Sequence, residues 1–194
     1  QALECYSKAL ELNSDDALIR FNHSVSMLTG GDFEFGWEQY NFRWLQKKPP
    51  TEPLKTSRPA WSPSDKKRVL LWPEQGIGDE IMFGSLVPEL SEFCSHLIVQ
   101  VDKRLLPIFR RSFSADIDFR AKDILIDEEE YDAQIPMGDL CVFFRRDSES
   151  FKRTSSGYLR ADEAKSAQIR SQILKNGESK ICGISWYSQN PHVG

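Results

Sequence analysis

The fold is decided by residues 68–90, RVLLWPEQGIGDEIMFGSLVPEL. The opening run Val69-Leu70-Leu71-Trp72 is short, apolar and closed by a proline, as expected of a strand buried on both faces. Pro73-Glu74-Gln75-Gly76-Ile77-Gly78-Asp79 supplies a glycine-bearing turn. Phe83, Leu86, Val87 and Leu90 then recur at the i, i+3, i+4, i+7 spacing of one helix face. Strand, turn and amphipathic helix in that order predict one unit of an open α/β sheet. Ligands of such sheets gather beyond the carboxyl ends of the strands, so this turn is expected to face a crevice with Asp79 at its mouth.

Downstream the pattern alternates. Residues 96–101 read as a second strand and 104–113 as a helix rich in basic side chains. Residues 116–119 and 124–126 are short strand candidates, and the acidic run 127–130 reads as a solvated loop before 131–136. Residues 138–144 suit a short helix, 157–162 an extended piece, and 163–175 a helix that Asn176-Gly177 ends. Residues 180–186 open another buried strand. Strands alternating with helices predict βαβ units and a parallel sheet.

Upstream, residues 1–46 carry a repeat: Ala2, Tyr6 and Ala9 return 34 positions later as Gly36, Tyr40 and Arg43. That period, with Gly31-Asp32-Phe33 as a turn, is similar to the tetratricopeptide repeat, whose units are antiparallel helix pairs. Asp15 or Asp16 is expected to cap the helix bearing Leu18, Phe21, Val25 and Leu28, and residues 34–45 to pair back on it. Arg43 departs from the repeat, which has alanine there. The last helix is therefore expected to pack on something other than a third repeat. Residues 47–66 hold five prolines and form a connector, which Trp61 should pin to a neighbouring surface.

Composition narrows the function classes. A net charge of −4 gives no support for a nucleic-acid partner. Cys5, Cys94, Cys141 and Cys182 are scattered, without the paired spacing of a zinc site or redox dithiol, which suits a reducing, cytoplasmic setting. No run is long and apolar enough to span a membrane. Both ends read as cut, so the chain is taken as a fragment of something longer.

The glycine turn is neither of the common phosphate cradles. A dinucleotide fingerprint needs a third glycine, and Asp79 would oppose a pyrophosphate at that helix end; a P-loop needs a lysine. Asp79 has two readings, a helix cap or a carboxylate that takes a proton from an incoming hydroxyl. The positive helix end stabilises the ionised form and so makes it a weak base. Glu74 and Glu80 flank it, and Gln75 either bonds a ligand or holds the turn. His23, His96 and His192 carry no recognisable pattern.

Leu70 to Phe83, LLWPEQGIGDEIMF, together with Gly36-Trp37-Glu38-Gln39-Tyr40-Asn41-Phe42-Arg43-Trp44 and Pro59-Ala60-Trp61, resembles bacterial tetratricopeptide-repeat proteins that carry a glycosyltransferase-like domain. That domain is similar to the heptosyltransferases, which have the two-Rossmann GT-B architecture. The resemblance covers nearly the whole chain and includes Tyr158-Leu159-Arg160-Ala161-Asp162 and Gly183-Ile184-Ser185-Trp186. It implies a Rossmann-like acceptor-side domain over 67–177, behind repeat helices at 1–46 and the connector at 47–66. The start of a donor domain would lie at 178–194. It further implies Asp79 as general base, with Glu74, Gln75, Gly76 and Gly78 as substrate-binding residues. The donor would be a nucleotide sugar held in the missing domain, with no metal or cofactor required, and the acceptor a glycan or protein. The repeat helices would recruit a protein partner. One departure is Tyr187-Ser188-Gln189-Asn190, where relatives place a basic residue near the donor phosphates. It leaves open a second reading, a non-catalytic interaction scaffold, and on either reading the fragment alone should be inactive.

Overall fold

The computed structural model describes residues 1–49, 51–64, 66–154, 157–174 and 181–184. It begins with three helices, α1 (Ala2–Leu12), α2 (Ala17–Thr29) and α3 (Phe33–Tyr40), the last tightening into a 3₁₀ turn over Asn41–Leu45. Of the two candidate caps, Asp16 does the work, accepting hydrogen bonds from the amides of Leu18 and Ile19 at 2.9 and 3.0 Å. Helices α2 and α3 approach closely at Gly36. A β-carbon there would lie 2.6 Å from Leu28 Cδ2 and 3.2 Å from the Leu28 amide nitrogen.

After the connector come β1 (Lys67–Trp72), α4 (Ile77–Gly84), α5 (Val87–Ser91), β2 (Cys94–Val101), α6 (Leu106–Ser112), β3 (Asp118–Ala121), β4 (Ala133–Pro136) and α7 (Leu140–Phe144). The four strands are all parallel, in the order β3-β2-β1-β4. The protein is thus α/β with a Rossmann-like sheet. Beyond this lies α8 (Glu163–Ile173), capped by Asp162, which accepts from the Lys165 amide at 3.0 Å. The chain divides into two compact units, Gln1–Leu159 and Arg160–Gly194, so the first three helices and the whole sheet belong to one body.

The sheet is buried on both faces, as the unbroken apolar β1 requires. Val69, Leu71, Val99 and Ile135 join Phe83, Leu86, Val87, Leu90 and Phe109 in the main core. Leu70 and Ile98 point the other way, onto Ile126, Tyr131 and Leu54. The connector does more than link. Trp61, 3% exposed, enters the main core, and Ala60 bridges Gln134, covering the open edge of β4.

Three expectations are revised. The single helix after the turn is two, because Pro88, at the second position of α5, has no amide to continue α4. Gly84 is kept small by its neighbours, since a β-carbon would meet Phe109 Cζ at 2.9 Å and Tyr158 Oη at 3.0 Å. Residues 124–126 are not a strand. They belong to the crossing from β3 over the sheet face to β4, where Ile126 packs downward and Leu125 stays exposed. Of the expected strand at 180–186, residues 181–184 are exposed and in no ladder among the described residues. Its other positions lie outside the described residues, as do Asn176-Gly177 and Tyr187.

Two outcomes follow. Gly36→Ala should destabilise by about 1–3 kcal/mol, because Leu28 cannot retreat from its own backbone; a lower urea midpoint is the readout. Arg68 donates to Asp132 Oδ1 at 2.6 Å, tying β1 to the start of β4, and its hydrogen bonds hold the Asp132 carboxyl down to about 2 from the ordinary 3.8. The stabilisation is therefore full above the unfolded value and lost as pH falls through the folded one. Carboxyl NMR should place the midpoint near 2 and return it towards 3.8 in Arg68→Gln.

Candidate functional site

The strand order fixes where to look. From β1 the chain moves to β2 and β3 on one side, whereas β4 lies on the other, so the order reverses between β1 and β4. In open α/β sheets that switch point opens a crevice beyond the carboxyl ends of the strands. Here it is bounded by the turn 73–79 after β1 and by Met137–Asp139 after β4.

The base of this crevice is filled by Arg43, which enters from the 3₁₀ turn after α3 and is fully buried. Its Nε donates to Glu74 Oε2 at 2.6 Å, and Nη2 donates to Glu74 Oε1 at 2.7 Å and Asp139 Oδ1 at 2.5 Å. Nη1 donates to the Tyr40 carbonyl and Asn41 Oδ1, each at 3.2 Å, so all five guanidinium hydrogens are engaged. The Gly138 amide adds a 2.7 Å bond to Glu74 Oε1. Burial opposes the charge on Arg43, but Glu74 and Asp139 outweigh it and raise its pKa; burial pushes the Asp139 carboxyl up despite the pull of Arg43. The planar fork is sandwiched by aromatic rings, its centre 4.5 Å from both Tyr40 and Trp44.

The sequence-predicted residues therefore split. Glu74 turns inward, its side chain without exposure and both oxygens occupied, and it anchors the turn to Arg43 and Gly138. Gln75, Gly76, Gly78 and Asp79 form the outer rim. Gln75 adopts a left-handed backbone, φ 60°, which costs a non-glycine residue about 1–2 kcal/mol. The strain is held by two bonds from outside the turn: Thr51 Oγ1 accepts from the Gln75 amide at 2.8 Å, and Gln75 Nε2 donates to Tyr40 Oη at 2.9 Å. Burial raises the Tyr40 phenol, partly offset by that bond.

Asp79 is not the cap itself. Gly76 holds that position in extended backbone, and Asp79, three residues on, reaches back so that Oδ2 accepts the Gly76 amide at 3.0 Å. Oδ1 has no hydrogen bond among the described residues, and the carboxylate is half-exposed. Glu80 points away from the rim. It is buried, accepting the Asp102 amide at 2.6 Å and Lys122 Nζ at 3.1 Å, and so ties α4 to the end of β2. Arg104 chelates Asp102 and holds its carboxyl far below the usual range. Among the described residues no group of three His, Cys, Asp or Glu is placed to hold a metal ion. Nor is any helix there long and apolar enough to cross a membrane.

Sequence reasoning singled out Arg43 only as a departure from the repeat and missed Asp139 and Tyr40 as part of the site. The signal for Asp139 was the Met137-Gly138-Asp139 turn after a strand, equivalent in position to the turn after β1. Gly138 is constrained there, since a β-carbon would lie 2.3 Å from Glu74 Oε1.

Fold and site together define an α/β protein with a Rossmann-like parallel sheet whose switch point is built jointly with a helical segment. Among characterised proteins the chain is similar to Protein FlbA of Caulobacter vibrioides, with 27% identity over 191 residues, covering 90% of this chain and 32% of FlbA. The chain thus spans about a third of the length of that relative. No protein-family profile matches it, and no solved structure does.

Removing the guanidinium while keeping the bulk, as in Arg43→Met, leaves Glu74 buried and unpaired. That should cost about 3–5 kcal/mol, read as a loss of unfolding free energy. Arg43→Met/Glu74→Met should recover much of it, because the pair is replaced by apolar volume.

Proposed function

We propose that the chain is the acceptor-side part of an inverting, nucleotide-sugar-dependent glycosyltransferase of GT-B type, working in the cytoplasm behind a tetratricopeptide-like helical segment. The observation that carries this reading is the Asp79 carboxylate, which stands at the switch-point rim with Oδ2 fixed by the Gly76 amide and Oδ1 without a hydrogen bond among the described residues. A carboxylate so oriented can accept the proton of an acceptor hydroxyl as that oxygen bonds to the anomeric carbon. The bond from that carbon to the nucleotide diphosphate breaks on the opposite face, with inversion. Gly76 and Gly78 are exposed and leave room for the acceptor, a glycan or a protein. The nucleotide sugar would be held by a second Rossmann domain, and the helical segment would recruit a protein partner. Four free cysteines agree with a reducing compartment.

A second reading, a non-catalytic scaffold, draws support from Arg43. It fills the base of the switch point with a satisfied ion-pair cluster and narrows the space a substrate would use.

Asp79→Asn on the full-length parent protein separates the two. Asparagine keeps an oxygen for the Gly76 amide, so the fold should be unchanged, whereas proton transfer should fall by about 10²–10⁴-fold. Release of nucleoside diphosphate from a panel of nucleotide sugars, in the presence of acceptor, is the measurement. Undiminished turnover in the variant returns Asp79 to a purely capping role, and no turnover by the parent with any donor favours the scaffold.

A further inference from the structure

Among the described residues, Gln75 is the only one other than glycine with a positive φ, at 60°. It joins two parts that are fixed independently. Before it, Arg43 holds both carboxylate oxygens of Glu74, and the Gly138 amide adds a third bond. After it, the Gly76 carbonyl accepts the amides of Asp79 at 3.0 Å and Glu80 at 3.1 Å, which opens α4. The change of direction between strand end and helix start therefore falls on Gln75. A glycine takes a left-handed backbone at no steric cost, and glycines stand at 76 and 78 of the same turn. A glutamine there stores strain, and strain kept beside a crevice points to a use for the side chain that causes it.

That use is geometric. The peptide plane between Gln75 and Gly76 carries the Gly76 N–H, which Asp79 Oδ2 accepts at 3.0 Å. Rotating Gln75 out of the left-handed region turns that plane and withdraws the N–H. The Asp79 carboxylate then loses the bond that gives Oδ1 its direction. Two bonds oppose the rotation: the Gln75 amide donates to Thr51 Oγ1 at 2.8 Å, and Gln75 Nε2 donates to Tyr40 Oη at 2.9 Å. The first is made by the backbone and would survive in a glycine. Only the second needs a side chain at 75, and it reaches into α3.

We propose that Tyr40 is a positioning residue for Asp79. Its hydroxyl holds the Gln75 side chain and so keeps the Gln75–Gly76 peptide turned to fix Oδ2, which leaves Oδ1 presented to the acceptor hydroxyl. This role rests on Asp79 acting as the general base, and it makes α3 part of the reaction as well as of recruitment.

Tyr40→Phe removes the hydroxyl and keeps the ring, which packs against Arg43, Phe21 and Trp37. In the 194-residue chain, hydrogen exchange at the Gly76 amide is followed by NMR, with φ of Gln75 read from its HN–Hα coupling. Tyr40→Phe should speed exchange at Gly76 about tenfold, the factor that the penalty of a left-handed residue implies. In a Gln75→Gly background the same change should have no effect, because glycine needs no restraint there and offers Tyr40 no side chain to hold. Thr51→Val, which removes the backbone acceptor, should act in both backgrounds. On the full-length parent, Tyr40→Phe should lower kcat about tenfold through a misaimed Asp79, with KM for the donor unchanged, and should add no loss in the Gln75→Gly background. Unchanged exchange at Gly76 in Tyr40→Phe, equal acceleration in both backgrounds, or an active parent whose kcat ignores Tyr40→Phe would overturn the positioning role. A parent without turnover overturns the glycosyltransferase reading instead, and the exchange measurements alone then decide whether Tyr40 holds the turn.

Discussion

The structure depends on one buried cation. Arg43 reaches Glu74, 31 residues away, and Asp139, 96 residues away, so a single guanidinium joins the helical segment to the turns after β1 and β4. A fully buried ion pair adds little net stability over apolar packing, because removing both charges from water costs nearly what their attraction returns. Its effect is on geometry. The fork of Arg43 meets the Glu74 carboxylate in parallel, and any rotation of the helices over the sheet would leave one of these charges unpaired in a dry interior. The helices and the sheet are held in one arrangement by that penalty.

The same contact shapes the candidate site. Glu74 can leave the rim and point inward only because Arg43 and the Gly138 amide receive it. Gln75 can remain in a strained left-handed conformation only because Tyr40, from α3, and Thr51, from the connector, hold its two sides. Asp79 is thereby presented by a turn whose supports come from three separate parts of the chain. A segment that would ordinarily be regarded as an appended recruiting module is here part of the wall of the crevice.

The two sheet faces are covered differently. Helices α4 to α7 lie over the main core, whereas the other face carries the β3-to-β4 crossing and Leu54 of the connector. The proline-rich connector is consequently a structural layer. Its Trp61 fills the core from one end, and its Ala60 occupies the edge of β4 that would otherwise offer unpaired backbone groups.

Much of this was legible in the residues. The apolar run at β1, the helical spacing after it and the alternation downstream gave a parallel α/β sheet, because periodicity reports which side of an element meets water. The small residue at Gly36 was also readable as a local constraint, whereas the break that Pro88 makes between α4 and α5 was not. The strand expected at 124–126 failed because an apolar run crossing over a sheet face buries its side chains much as a strand does, so periodicity does not separate the two. By itself, then, the sequence determined the fold class, the place of the glycine turn and the candidacy of Asp79. Only the tertiary structure decided that Glu74 faces inward, that Arg43 closes the base of the switch point and that Tyr40 holds Gln75. Those choices rest on charges and hydrogen bonds between residues far apart in the chain, whose partners are named only once folding has brought them within about 3 Å of one another.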